Sequence, residues 1–229
     1  VARTGQTSLN LTRAVLGHYG DVCHLCKKPG ANSKDHLIPY SLGGLDTLDN
    51  LRPAHSRCNS KRGNRVLNGV GARITVVTGP PASGKTTYVR ENAGPDDLII
   101  DLDVLASALM VPGSHSSHGY PDHVRHVAIG ARKAAIDRAT RMVYRQGTAL
   151  WIVHAIPSRE QLADYELLRY DVLTIDPGRE VVEPRARAER PPRMMRSVAA
   201  WYSSRGDQPR AAIASAAAPS ITLARTADW

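Results

Sequence analysis

The sequence predicts two successive domains of different class: a small metal-stapled α+β domain at residues 1–68 and an α/β domain with a mostly parallel sheet at 69–205. Three observations predict this. All three cysteines fall in the first 60 of 229 residues, and two of them share an x2 knuckle. From Arg73 onward, short β-branched runs alternate with helical stretches, the pattern of a parallel sheet with covered faces. Between them, around Asn64–Gly71, the composition shifts.

In chain order, Leu9, Leu11, Val15 and Leu16 near Arg13 and His18 suggest a helix leading into the cysteine region. Residues 21–65 are short and punctuated, with Pro29-Gly30 and Gly43-Gly44. So few apolar residues cannot build a core alone, and a metal staple is expected. Next, Arg73–Val77 is a buried strand, followed by a Gly/Pro loop and a helix from about Lys85. Leu98–Ile100 is a second strand ending at Asp101, and residues 122–144 form a helix with Val124, Val127, Ile129, Ala135, Ile136 and Met142 as core candidates. Ala149–Val153 is a third strand. Ser158 and Gln161 form a capping box for a helix to about Leu168, and Asp171–Ile175 is a fourth strand stopped by Asp176-Pro177-Gly178. Trp201 and Tyr202 are expected to pack a last helix onto the sheet. Residues 206–229 are Ala/Ser-rich and expected to be a flexible tail.

The net charge is +9 and the pI about 9.8. Residues 1–70 hold ten Lys/Arg against four Asp/Glu, so the excess is concentrated in the smaller part, as a phosphate-binding surface requires. A merely soluble basic surface explains the same count equally well. No apolar run approaches the roughly 20 residues of a membrane span, and no signal-peptide core stands at the N-terminus, so a cytoplasmic location is expected.

Cys23-x2-Cys26 and His55-x2-Cys58 are matched knuckles 28 residues apart. Each spacing lets two side chains reach one tetrahedral ion, so a structural Zn2+ on Cys23, Cys26, His55 and Cys58 is expected, with His24 a weaker competitor. Among and after them stand Asp35-His36, Gly43-Gly44, Asn50-Leu51-Arg52, and Asn59 with Lys61-Arg62. This order resembles the HNH endonuclease family over residues 20–65. The resemblance implies a ββα-metal fold, with His36 as general base toward the attacking water. Asp35 and Asn59 would hold a catalytic Mg2+ or similar divalent ion. Asn50 would fix the loop carrying His36, and Lys61 and Arg62 would contact nucleic-acid phosphates. A degenerate, non-cutting module of the same fold stays open.

Gly79-x4-Gly84-Lys85-Thr86-Thr87, between a strand and a helix, matches the phosphate-binding loop of ATP-binding proteins. Backbone N–H groups along Gly79, Ser83, Gly84 and the start of the helix would cradle phosphates. Lys85 would neutralise them, and Thr86 would ligate the Mg2+ of ATP. Asp101 and Asp103 after the second strand resemble the small P-loop kinases, including polynucleotide 5′-kinases. There an Asp engages the acceptor hydroxyl; Asp103 is the first candidate and Asp101 the second. The two could instead merely end a strand and cap a helix. An Arg that follows this Asp in those kinases is absent here, where Ala106 and Ser107 stand. His154 ends the third strand where a translocating ATPase carries an acid, which favours a kinase-like domain. Arg179 to Arg193 resemble an arginine-bearing lid, with Arg187 and Arg190 as expected contacts. The interleaved Glu180, Glu183 and Glu189 make a solvated helix face the alternative.

Together these features imply a DNA-directed nuclease, with RNA an open alternative, fused to a domain that uses ATP to phosphorylate 5′-hydroxyl ends. Two rivals remain: a nuclease switched by ATP, and a small-molecule kinase fused to a nucleic-acid-binding module. Oligomeric state is left open by the sequence.

Overall fold

The structure is a computed structural model and describes residues 5–114 and 118–205. The tail expected at 206–229 lies outside the described residues.

Helix α1 (Gly5–Tyr19) lies on an antiparallel pair, β1 (Ser33–His36) and β2 (Leu51–Ala54), paired from Ser33 opposite Ala54 to His36 opposite Leu51. Val15 is its fully buried contact. Tyr19, at its end, stacks under the Arg52 guanidinium at 4.4 Å, and Arg52 also donates to the Tyr19 hydroxyl at 3.0 Å. Helix α2 (Ser56–Arg62) crosses β1, its start capped where the Asn32 side chain accepts from Ser56 N at 2.9 Å. The result is a ββα unit. The loop from β1 to β2 turns on Gly44, where a Cβ would stand 1.9 Å from the Ile38 carbonyl oxygen; no side chain fits.

The second sheet has order β4-β5-β3-β6 and is wholly parallel: β3 (Arg73–Thr78), β4 (Leu98–Ile100), β5 (Ala149–Val153) and β6 (Asp171–Thr174). Ile74, Val76, Val77, Leu150 and Ile152 are buried, as strands covered on both faces require. The intervening helices are α3 (Lys85–Asn92), α4 (Leu102–Ala108), α5 (Asp122–Gln146) and α6 (Arg159–Leu167), then α7 (Arg179–Glu189) and α8 (Met195–Arg205) after β6. The α6 capping box is present, Ser158 Oγ accepting from Gln161 N. Of the α5 core candidates, Val127, Ile129 and Met142 are exposed, while Val124, Ala128, Ala139 and Val143 carry the buried face; this helix is also too polar on average for apolar spacing to fix its phase.

Trp201 and Tyr202 pack α8 against α7 and Ala82 rather than onto the sheet as expected, and they do so through a polar anchor. Asp176, buried, accepts from Trp201 Nε1 at 2.7 Å, Tyr202 Oη at 2.8 Å and Gly178 N at 3.0 Å, tying α7 and α8 to the end of β6.

The boundary expected at 68/69 falls inside a shared core. Cys23, Leu25, Leu37 and Ala54 of the first unit form one buried cluster with Val66, Leu67, Val70, Ile74, Leu168 and Tyr170. The Asn68 side chain bonds both Ile74 N and Asp171, and Arg169 donates to the His24 carbonyl at 3.1 Å. The small unit thus borrows core from the large one, which is how so few apolar residues fold.

Candidate functional site

The two knuckles converge. Ligand atoms of Cys23, Cys26, His55 and Cys58 all lie within 4.8 Å of one another, close enough to share one tetrahedral ion. His55 Nε2 donates to the Pro29 carbonyl at 3.0 Å, which leaves Nδ1 as the free lone pair, 3.3 Å from Cys26 Sγ. Burial raises the Cys23 thiol, but backbone N–H donors of Cys26, His55 and Leu25 outweigh it and bring it down to about 7. Burial and the neighbouring thiols push Cys58 up to about 11, the repulsion a cation would relieve. The residues present fit Zn2+. His24 stands outside this cluster, and its Nε2 lies 2.7 Å from Asp35 Oδ2.

His36 stands at the end of β1 with Nε2 2.8 Å from Asp46 Oδ1, in the loop before β2. The Asn50 side chain accepts from Ile38 N at 2.9 Å and donates to the carbonyls of Ile38 and Leu45, clamping the loop that follows His36. Asp35, next to His36 but on the opposite face of the strand, is buried. Its Oδ1 accepts from Arg62 at 2.6 Å and its Oδ2 faces His24. Arg62 is equally buried and also donates to the carbonyls of His36, Leu37 and Arg65.

Two expectations are corrected here. Arg62 is no phosphate contact, because its guanidinium is spent inside the β1–α2 packing. Asp35 does not present an open cation seat with Asn59, because both of its carboxylate oxygens are engaged. Asn59 donates to the Lys34 carbonyl at 3.0 Å. In this arrangement Asp35 and Asn59 do not fit a divalent ion. Lys61 is half exposed but paired with Asp164 at 2.7 Å.

A second site opens at the C-terminal ends of β3, β4 and β5, a cleft of about 460 Å3. The loop after β3 closes on Gly79, where a Cβ would meet the Ile175 carbonyl oxygen at 2.1 Å, and Ala82 and Gly84 both take positive φ. Gly84 caps α3, so the cleft faces that helix's unpaired N–H groups, with Lys85, Thr86 and Thr87 in its wall. Ser83 is buried, its hydroxyl 3.4 Å from Lys85 Nζ, which also donates to Pro80 O at 2.5 Å. Burial pulls the Lys85 ammonium down to about 8, against the attraction of Asp101. Thr86 Oγ1 donates to Asp101 Oδ2 at 2.7 Å, and Asp101 Oδ1 caps α4 by accepting from Asp103 N.

Asp103 faces the cleft with its side chain about one-third exposed, 34%. It accepts from the Tyr120 hydroxyl at 2.6 Å, and His118 Nδ1 lies 3.0 Å from its other oxygen. Burial raises this carboxyl, but the His118 and Tyr120 contacts hold it below the usual carboxylate range. His154 lines the cleft and bonds Tyr165 at 2.7 Å; burial and Arg132 push its imidazole down to about 4, so it is neutral.

The expected arginine pair is half corrected. Arg190 lines the cleft, but Arg187 is 69% exposed and paired with Glu183, which also pairs Arg179. Arg179, Glu183 and Arg187 form an i, i+4 ladder on the solvent face, and Arg185 takes the place in the cleft. Helical phase relative to buried Val182 and Ala186 carried this signal. No spacing rule pointed to Asp46, Tyr120, Arg125 or Arg132.

The first unit is thus a ββα module with a Cys3His cluster that could hold zinc. Residues 23–65 match the HNH endonuclease family, which identifies an HNH endonuclease domain there and suggests nuclease activity. No curated protein and no solved structure matches the chain in the same comparisons. No described helix is long and apolar enough to cross a membrane.

Proposed function

We propose that the chain is a DNA nuclease whose HNH domain is joined to a P-loop kinase-like domain that moves the γ-phosphoryl of ATP onto a 5′-hydroxyl. For cleavage, His36, oriented by Asp46, accepts the proton of a water attacking the scissile phosphate. The divalent ion that HNH nucleases use would require Arg62 and His24 to leave Asp35, so no step is assigned to it. Arg57 on α2 is exposed and available to phosphates, Lys61 would first have to leave Asp164, and Arg62 is enclosed.

The single observation that carries the second activity is the cleft that gathers Lys85, Thr86, Asp101, Asp103, Arg185 and Arg190 around one loop and one helix N-terminus. Lys85 and the α3 N–H groups would hold the β- and γ-phosphates of ATP. Thr86 and Asp101, already in contact, are suited to the Mg2+ that accompanies it. Asp103 would accept the proton of the hydroxyl as its oxygen bonds to the γ-phosphorus and the bond to the β-phosphate oxygen breaks, leaving ADP. Arg185 and Arg190 would stabilise the transferring group. Because HNH cleavage leaves a 5′-phosphate, the kinase would act on ends made elsewhere.

The test supplies γ-labelled ATP, Mg2+ and a 5′-hydroxyl oligonucleotide, with Lys85→Ala as control. Label on DNA that depends on Lys85 supports the reading; ATP hydrolysis without labelled DNA refutes it. Nicking of plasmid DNA lost in His36→Ala tests the nuclease separately.

A further inference from the structure

A chain of aromatic rings that neither activity uses runs between the two sites. His154 lines the nucleotide cleft, and its Nδ1 lies 2.7 Å from the Tyr165 hydroxyl on α6. Tyr165 in turn stacks on Tyr170, with ring centroids 6.1 Å apart and planes 25° from parallel. Tyr170 is buried, and Arg62 and Arg65 stand near enough for their charges to act on its hydroxyl. Arg62 is the residue that holds Asp35 and the carbonyls of His36 and Leu37. The last turn of α6 and the loop after it also touch the nuclease unit directly. Asp164 pairs with Lys61 on α2. Arg169, at a φ of 59° that non-glycine residues rarely take, aims its guanidinium at the His24 carbonyl. Residues 164–170 thus reach both sites.

The arrangement around Asp35 leaves two groups unmet. Tyr170 Oη and His24 Nδ1 are buried with no hydrogen-bond partner among the described residues. An unpaired buried polar group is costly, so holding Asp35 in this way carries a penalty. In the opposite arrangement Arg62 turns from Asp35 to Tyr170 Oη, which repairs one orphan and frees the carboxylate that a divalent ion would need. That arrangement is the minor one, because it uncovers a buried carboxylate. A ligand need not make it dominant, since a fivefold rise in a minor population raises any rate that depends on it fivefold. The cleft supplies the bias. A phosphate oxygen accepting from His154 Nε2–H fixes the tautomer whose Nδ1 accepts from Tyr165, and burial together with Arg132 keeps this imidazole neutral. Tyr165 held in that way seats the Tyr170 ring where its hydroxyl can receive Arg62. We propose that α6 and Tyr170 gate the nuclease from the nucleotide cleft: a nucleotide at His154 raises the population in which Arg62 sits on Tyr170 instead of Asp35.

The gate rests on the nucleotide and nuclease readings above, and the experiment separates all three. Binding of a fluorescent, non-hydrolysable ATP analogue to the full chain is measured first; no binding to wild type ends both the nucleotide reading and the gate. With the analogue saturating, plasmid nicking at fixed free Mg2+ is expected to rise about fivefold or more. Tyr165→Phe keeps the ring stack and loses the His154 contact, so it should bind the analogue, nick at the basal rate and show no rise. Tyr170→Phe removes a hydroxyl that lacks a partner, so it should be no less stable than wild type in urea and should also lose the rise. Amide hydrogen exchange reads the gate without cleavage, because Arg62 leaving the carbonyls of His36 and Leu37 loosens the end of β1. The analogue should speed exchange at residues 36–38 in wild type and in neither variant. Bound analogue with unchanged exchange there, nicking that shows no rise in wild type, or a rise that persists in both variants overturns the gate. If wild type nicks nothing, the nuclease reading fails and exchange alone decides: acceleration that both variants lose upholds the gate, and any other pattern overturns it.

Discussion

Replacing Arg62 with Met tests whether Asp35 is a structural anion or an available ligand. The two side chains are 1% and 4% exposed and 2.6 Å apart, so solvent screening is negligible. Removing the cation leaves a carboxylate buried beside a histidine whose own basicity is lowered by burial, and strands the carbonyls of His36 and Leu37. Breaking one side of such a pair costs about 3–5 kcal/mol, a large share of the roughly 5–15 kcal/mol that holds a domain together. The pair Asp35→Leu with Arg62→Met, apolar on both sides, should recover most of that loss. Urea unfolding, followed by zinc release to a chromogenic chelator, gives both numbers in a double-mutant cycle. A single-variant loss below about 1 kcal/mol, with no coupling to Asp35, would refute the buried-pair reasoning and return Asp35 to the cation.

Chelation or His55→Gln should release about one Zn2+ per chain and unfold the ββα unit, with destabilisation spreading into the sheet through Cys23, Val66 and Leu168; elemental analysis and thermal unfolding check this. Lys85 is protonated below about pH 8, so ATP-analogue affinity should fall as pH rises through 8. In the absence of nucleotide the sign reverses: the unfolded chain binds the extra proton between about 8 and the ordinary lysine value, so Lys85 makes the protein more stable as pH rises over that window. Binding titrations and melts across pH 7–10 separate the two trends. Gly79→Ala would drive a Cβ against the Ile175 carbonyl oxygen and should abolish nucleotide binding and lower Tm; Gly17→Ala in α1, with open space around it, should raise stability by about 0.5–1 kcal/mol.

The sequence by itself determined whatever depends on local spacing. The paired x2 knuckles identified all four residues of the Cys3His cluster, because two ligands of one ion must be close along a tight turn. Strand and helix order after Arg73 was legible for the same reason, since period and capping residues act within one element. The Gly79–Thr86 motif carries its own geometry in its glycines.

Only the tertiary structure decided what each charged side chain faces. Asp35 and Arg62 are 27 positions apart, and nothing in either neighbourhood tells that the carboxylate turns into the core to meet the arginine. Arg187 and Arg185 differ by two residues, yet α7's phase against Val182 and Ala186 puts one in solvent and the other in the cleft. Asp46, Arg125 and Arg132 entered the sites by chain folding alone. Covalent spacing fixes which groups can share a metal or a turn; burial and partner choice arise from packing between distant segments, where the desolvation of a charge outweighs any local preference.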